Sequence, residues 1–429
     1  MSKPLRIAIA GLGTVGAGVV KILQTHANEI TRRAGRAIEI VAVHARDPKK
    51  KRDIDTSKFS WTPSTIDLAY ADVDVVVELI GGDEGPARQL VETALTNKKH
   101  VVTANKALLA KHGLALAQTA EQYGVSLNYE ASVAGGIPII KTLREGFAGN
   151  AVEGVYGILN GTCNYILTEM RTTGRDFADV LKEAQEKGYA EADPTFDVDG
   201  IDAAHKLTIL SALAFGVKPD FKAIDITGIR RISANDIQFA DELGYRIKLL
   251  GIARKRGGKI AQSLEPCLVP INSALGSVEG VYNAVFVEGD SVGHAMLEGR
   301  GAGQGPTASA VLSDLIDLAR GYKLPTFGVP AKDLASPAWT GPEDIISEQY
   351  LHLVVLDQPG VIADVSAILR DFKISIETMI QRGRDPGQPV SVVITTHECS
   401  RASIRSAVAK IATLPSMASP PTILRMEKF

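Results

Sequence analysis

Apolar and polar positions along the first third of the chain fall into a strand–helix rhythm. Leu5–Ala10 is a mostly apolar, β-compatible run that stops at Gly11, and the spacing predicts a helix over 15–30. Apolar runs at 38–43, 73–80, 100–103 and 125–129 predict further strands, with helices over 86–97 and 108–123 between them. Strands alternating with helices indicate βαβ units and a parallel sheet covered on both faces. With right-handed crossovers this gives an α/β, doubly wound, Rossmann-like nucleotide-binding domain.

The middle is less regular. Strands are expected at 154–159, 264–269 and 284–288, and helices at 201–215 and 307–320, which makes a mixed α/β region whose sheet can face another subunit. Residues 321–349 carry several prolines and little periodicity, as a linker does. A compact pattern then follows: strand 351–356, helix 361–372, strands 374–381 and 390–397, helix 402–413, strand 422–426. That βαββαβ order is the ferredoxin-like plait.

Charge narrows the function. Lys plus Arg is 47 and Asp plus Glu is 49, a net charge of −2. So even a balance argues against nucleic-acid or membrane partners, which call for a basic face. No apolar stretch is long enough for a membrane span, and the N-terminus does not read as a signal peptide. Three widely separated cysteines, Cys163, Cys267 and Cys399, fit a reducing cytoplasm and exclude a disulfide scaffold.

Three places carry candidate chemistry. Gly11-Leu12-Gly13-Thr14-Val15-Gly16 follows the first strand and opens a helix. Gly11 suits a tight turn, Gly13 close approach to a pyrophosphate, and Gly16 helix–strand packing, while the helix N-terminus offers N–H groups to phosphate. The second strand ends near His44 and Arg46 rather than on the acid typical of NAD sites. A guanidinium there can pair with a 2′-phosphate, which favours NADP, while Asp47 keeps NAD open. In the segment 184–206, Asp202 and Lys206 stand four apart on one helix face, after the acids Glu191, Asp193, Asp197 and Asp199. An acid so placed can orient an ammonium that carries a proton, although a surface ion pair has the same spacing. Lys106 follows a strand of the nucleotide sheet, at the end that lines the ligand crevice.

The segment 184–206 resembles the homoserine dehydrogenase signature at Ala184, Gly188, Tyr189, Ala190, Asp193, Pro194, Asp197, Gly200, Asp202 and Lys206. Gly11–Gly16, Thr103–Lys106, Gly157–Thr162 and Gly299–Thr307 also look like that family, over about residues 5–325. The sequence resembles a monofunctional bacterial member. The resemblance implies reduction of L-aspartate 4-semialdehyde to L-homoserine with NAD(P)H, in threonine, methionine and isoleucine biosynthesis. Lys206 would be the acid, Asp202 would hold Lys206 and the substrate hydroxyl, and Glu191 would take the substrate amino group. Lys106 would bridge substrate and cofactor, and Gly303 would approach the cofactor. A monovalent cation, sodium, would lie on Glu130, Val133, Gly135 and Ile137. The family is commonly dimeric or tetrameric.

Leu351–Val361 resembles the opening of the ACT domain, a strand, an Asp-x-Pro-Gly turn and a helix. This implies a regulatory amino acid, with L-threonine the expected effector. The resulting division is a nucleotide-binding domain 1–137, a catalytic and dimerisation domain 138–325, a linker 326–349 and an ACT domain 350–429. Two competing readings are a non-catalytic nucleotide and amino-acid sensor, and a phosphate-dependent dehydrogenase using Cys163 as nucleophile. The sensor needs no proton carrier such as the Asp202–Lys206 pair, and the thiol has no histidine nearby in sequence to activate it.

Overall fold

The computed structural model describes residues 3–382 and 387–429. The chain forms two interleaved compact units. The first comprises the chain up to Gly161, Asp202–Ile224 and Val281–Pro337, and the second comprises Thr162–Ile201, Asp225–Gly280 and Ala338–Phe429.

In the first unit, β1 (Leu5–Ala10), β2 (Ile38–His44), β3 (Ser60–Trp61), β4 (Val75–Glu78), β5 (His100–Thr103) and β6 (Leu127–Asn128) form a parallel sheet. Its order is β3-β2-β1-β4-β5-β6, the doubly wound order with its switch point between β1 and β4. Leu5, Ile7, Ile9, Val75 and Val77 are buried, as strands covered on both faces must be. The helix expected over 15–30 is two, α1 (Thr14–Thr25) and α2 (Ala27–Ala34). His26 leaves helical geometry at φ −116°, ψ 25°, and the new direction lets α2 bury Ile30 and Ala34. α3 (Pro86–Thr96) and α4 (Lys106–Tyr123) complete the nucleotide domain, with Gly124 at φ 67° ending α4.

A second, antiparallel sheet in this unit runs Gly293–Arg300, Tyr282–Gly289, Val152–Ile158. The helix Gln304–Arg320 returns to the nucleotide domain, where Val311, Leu315 and Leu318 join Val19, Val20 and Leu23 in one core. Phe327 is buried against Tyr129, so the start of the proline-rich segment is packed rather than extended.

In the second unit the hairpin Tyr245–Arg256 and Lys259–Pro270 turns at Gly257-Gly258, both at positive φ. Strand Thr422–Met426 runs parallel to Lys259–Pro270, and Ile346–Leu356, Pro389–Thr396 and Ile376–Gln381 follow in that order. With helices Val361–Asp371 and Arg401–Ile411 packed on it, this is the βαββαβ plait. Its first strand starts at Ile346, five residues before the run recognisable in sequence. Among the described residues, no helix is long and apolar enough to cross a membrane.

Candidate active site

The nucleotide cradle follows from the glycine spacing. Gly11 has φ +97°, and a Cβ there would lie 2.6 Å from the Leu79 carbonyl oxygen. A Cβ on Gly16 would lie 2.0 Å from the Gly11 oxygen, so the turn and the helix pack as closely as backbones allow. A Cβ on Gly13 would meet nothing within 4 Å, because that position faces open space. Leu12, Gly13 and Thr14 line a cavity of about 200 Å³ together with Lys21, Lys50, Arg52 and Gln304. Val15 is half-buried against the core. Gly303, at φ +115°, starts the helix that presents Gln304. The guanidinium on this wall is Arg52, which donates to the carbonyls of Leu12, Lys50 and Asp47 at 2.9, 2.8 and 2.7 Å and lies over Trp61. Arg46 lies exposed beyond the end of β2, outside the wall. Arg52 reads as part of a solvated charge run in sequence, because only the folded loop turns it back over Leu12.

The candidate catalytic cluster lies where α4 and the helix Ile201–Phe215 meet the end of β7 (Val152–Ile158). That long helix is apolar almost all round, so its one acid and one lysine are enclosed with it. One oxygen of Asp202 accepts from Lys206 Nζ at 2.8 Å and from Asn160 Nδ2 at 3.0 Å. The other oxygen lies 2.9 Å from Lys106 Nζ. Lys206 Nζ also donates to the Leu159 carbonyl at 2.6 Å. Burial works to raise the Asp202 pKa, but the Lys206 and Lys106 charges outweigh it and hold the carboxyl far below its ordinary range. Asp202 is therefore a fixed anion that orients two ammonium groups. Lys206 is buried, while the Lys106 side chain is 31% exposed and opens toward solvent.

The loop after β5 fixes Lys106 at the start of α4. Thr103 Oγ1 donates to Glu78 Oε2 at 2.6 Å and accepts from the Asn105 N–H at 3.0 Å. Asn105 caps α4 by accepting from the Leu108 N–H, and its amide donates to the Gly82 carbonyl. Glu78 is wholly buried and also accepts from the N–H groups of Ile80 and Gly81. Glu78 gives no sign in sequence, and Asn105 and Asn160 show only as members of family-like motifs without a role, since each acts through backbone or through a partner distant in sequence. His205 stacks on Phe221 with ring centroids 4.5 Å apart, and burial, helped by the Lys111 charge, lowers its pKa to about 4. It is a neutral packing group at physiological pH.

At the cation stretch, Ala134 and Gly135 have φ of 53° and 21°. The Glu130 carboxylate accepts from the N–H groups of Ile140 and Lys141, both at 2.9 Å. Its side chain braces the backbone at 140–141, as suits a residue expected to ligate through its own carbonyl. That fits a set of backbone carbonyls, with Ile137 O also accepting from the Ile139 N–H at 2.8 Å. Among the described residues, no group of three or more His, Cys, Asp or Glu could hold a metal.

In the second unit, most of the acidic segment is structural. Asp193 accepts from the Thr195 N–H, and Asp199 pairs with Arg230. Glu191 is exposed, and its backbone oxygen accepts from Gln185 Nε2. Cys163 is buried and its thiol donates to the Asp197 carbonyl, which removes it as a nucleophile. In the plait, residues 355–363 and Gln381 surround a cavity of about 380 Å³. Gly360, at φ +97°, caps the helix Val361–Asp371 beside it.

A doubly wound nucleotide fold that brings two lysines onto one buried carboxylate is that of an NAD(P)-dependent oxidoreductase. Family models agree: the NAD-binding domain of homoserine dehydrogenase matches residues 11–130, homoserine dehydrogenase 138–316, and the ACT domain 350–416. The homoserine dehydrogenase of Neisseria gonorrhoeae is 46% identical, covering 100% of this chain and 99% of its own, and that of Pseudomonas aeruginosa is 44% identical over 100% of both. A crystal structure of the homoserine dehydrogenase of Thiobacillus denitrificans superposes with a TM-score of 0.94, at 45% identity over 99% of each chain. A hyperthermophilic archaeal homoserine dehydrogenase in complex with NADPH superposes at 0.65, with 27% identity over 75% of this chain and 99% of that one. The chain belongs to the homoserine dehydrogenase family.

Proposed function

We propose that this enzyme reduces L-aspartate 4-semialdehyde to L-homoserine with NADPH, supplying threonine, methionine and isoleucine synthesis in the cytoplasm. The observation that carries this reading is the Asp202 carboxylate, held at 2.8 Å by Lys206 and 2.9 Å by Lys106. The bound nicotinamide supplies the hydride. Lys206 donates a proton to the aldehyde oxygen as negative charge develops there, and takes it back in the reverse direction. Asp202 and the Leu159 carbonyl hold the Lys206 ammonium, and Asp202 also receives the substrate hydroxyl. Lys106, anchored by the Thr103–Asn105 turn, spans substrate and cofactor.

The Gly11–Gly16 turn and Gly303 cradle the dinucleotide. Arg46 favours the 2′-phosphate, and the NADPH bound by the archaeal relative supports that preference. A sodium ion would be held by the backbone of Glu130, Val133, Gly135 and Ile137, steadying the turn between the nucleotide domain, 1–137, and the catalytic and dimerisation domain, 138–325. After a connection over 326–349, the ACT domain, 350–429, binds L-threonine at the Asp357–Gly360 turn, with the carboxylate on the helix N-terminus and the amino group on Asp357. The enzyme works as a homodimer or homotetramer.

Reduction of NADP by L-homoserine, followed spectrophotometrically, tests the activity. Robust turnover with L-homoserine and none with simple alcohols is expected, and no turnover refutes the reading. Truncation after Ser347 tests regulation: an active enzyme that L-threonine no longer inhibits is expected, and a full-length enzyme indifferent to millimolar L-threonine refutes it.

A further inference from the structure

A cavity of about 260 Å³ in the second unit has no part in the chemistry above. It lies between the strand Lys259–Pro270, the loop before Ser233 and the plait, where Thr422–Met426 and helix Arg401–Ile411 form the opposite wall. Its volume is enough for a small metabolite. Four guanidinium groups, of Arg231, Arg401, Arg405 and Arg425, share this wall with a single carboxylate, Glu265.

Three of the four guanidinium groups are paired, mostly with carboxylates that do not line the cavity. Arg401 binds Glu265 and Asp225, and Arg425 reaches Glu265 at 3.5 Å and pairs with Glu427. Arg405 pairs with Asp225 at 3.5 Å and with Glu343. No carboxylate pairs with Arg231 among the described residues, and it stands exposed at the rim. Arg425 is 5% exposed, yet its Nε–H has no acceptor. A buried donor without an acceptor is costly, and it adds to the surplus of donors around this wall. Those carboxylates fix Arg401, Arg405 and Arg425 around the cavity and leave the fork of Arg231 to meet a planar or tetrahedral oxyanion.

We propose that this arginine-lined cavity binds a small metabolite through a carboxylate or phosphate group, at a site separate from the Asp357–Gly360 turn. The ligand ties helix Arg401–Ile411 and strand Thr422–Met426 to strand Lys259–Pro270, so its occupancy is read as stabilisation of the folded chain. The site stands independently of the proton-transfer reading.

The test is thermal unfolding of the full-length, NADPH-saturated enzyme titrated with inorganic phosphate or succinate, at ionic strength held constant with chloride. Cofactor saturation keeps the probes out of the nucleotide cradle. A saturable rise in Tm with at least one probe is expected, and which probe acts assigns phosphate or carboxylate chemistry. Arg231→Glu should weaken the apparent Kd by about tenfold or more. Lys410→Glu, the same charge change on helix Arg401–Ile411 but off the cavity wall, should leave it unchanged. Arg231 is exposed and unpaired, so its replacement spares the fold, and Arg405→Gln gives a second variant. No saturable rise with either probe, wild-type binding by Arg231→Glu, or equal weakening by Lys410→Glu overturns the proposal.

Discussion

Two lysines of this chain are almost wholly enclosed, Lys206 at 8% exposure in the first unit and Lys248 at 2% in the second. Their surroundings differ in one respect. Lys206 meets a buried carboxylate at 2.8 Å that also holds a second ammonium. Lys248 meets neutral oxygens, Asn164 Oδ1 at 3.2 Å and the Val278 carbonyl, with the nearest carboxylate, Glu279, at 3.8 Å. Burial, only partly offset by Glu279, lowers the Lys248 pKa to about 8. Enclosure by itself therefore does not mark a reactive lysine. What distinguishes Lys206 is a fixed anion whose second oxygen meets Lys106, a side chain that opens to solvent.

Substitution separates the two lysines most strongly in turnover. Lys206→Ala should lower kcat by about 10²–10⁴-fold, the usual range for losing a general acid, with cofactor affinity little changed. Lys248→Met should leave steady-state kcat with L-homoserine near wild type. Comparable losses in both variants would dissolve the distinction.

Removing the anion is the next largest change. Asp202→Asn keeps the shape but leaves two neighbouring ammonium groups without a counter-charge. Breaking a buried pair in this way typically costs about 3–5 kcal/mol, read as a shift of the urea midpoint. Unchanged stability would mean that Asp202 is not the anchor of both lysines.

The pH dependence of stability sharpens the Lys248 side. Its folded pKa of about 8 lies below that of an unfolded lysine, about 10.4. Between those values the unfolded chain binds more protons, so this group makes stability rise with pH across that window. The gain is about 3 kcal/mol in order of magnitude, and it is lost as pH falls through 8. Lys248→Met should flatten the difference in Tm between pH 8 and pH 10 relative to wild type. An equal slope in the variant would contradict the assignment.

The smallest effect belongs to the exposed cations near β2. Arg46→Asp should shift kcat/KM from NADPH toward NADH by about tenfold, since it removes a phosphate partner and adds a repelling charge. If Arg52→Ala moves the preference and Arg46→Asp does not, Arg52, which lines the cavity, is the specificity residue.

Regular periodicity made the nucleotide sheet and the plait legible. β5 and the helix Ile201–Phe215 lie where their apolar patterns place them. Irregular geometry did not show. His26 divides a pattern that reads as continuous, and the strand Gly293–Arg300 is too polar to announce itself. The same holds at the site. Asp202 and Lys206 are joined by helical spacing, which sequence displays. Lys106, Asn160 and the Leu159 carbonyl reach them only through tertiary packing, and the Glu78–Thr103 bond that sets Lys106 spans 25 residues. The sequence also leaves open whether Asp202–Lys206 is a surface pair or a buried one, and burial settled it.

If Lys206 carries the proton rather than merely filling space, an external amine can take its place. Chemical rescue of Lys206→Ala by methylammonium tests it most directly, with L-homoserine and NADP at saturation. Turnover should rise with amine concentration and vary with the pKa of the amine used. A folded, cofactor-binding Lys206→Ala enzyme whose residual rate no amine alters would contradict it.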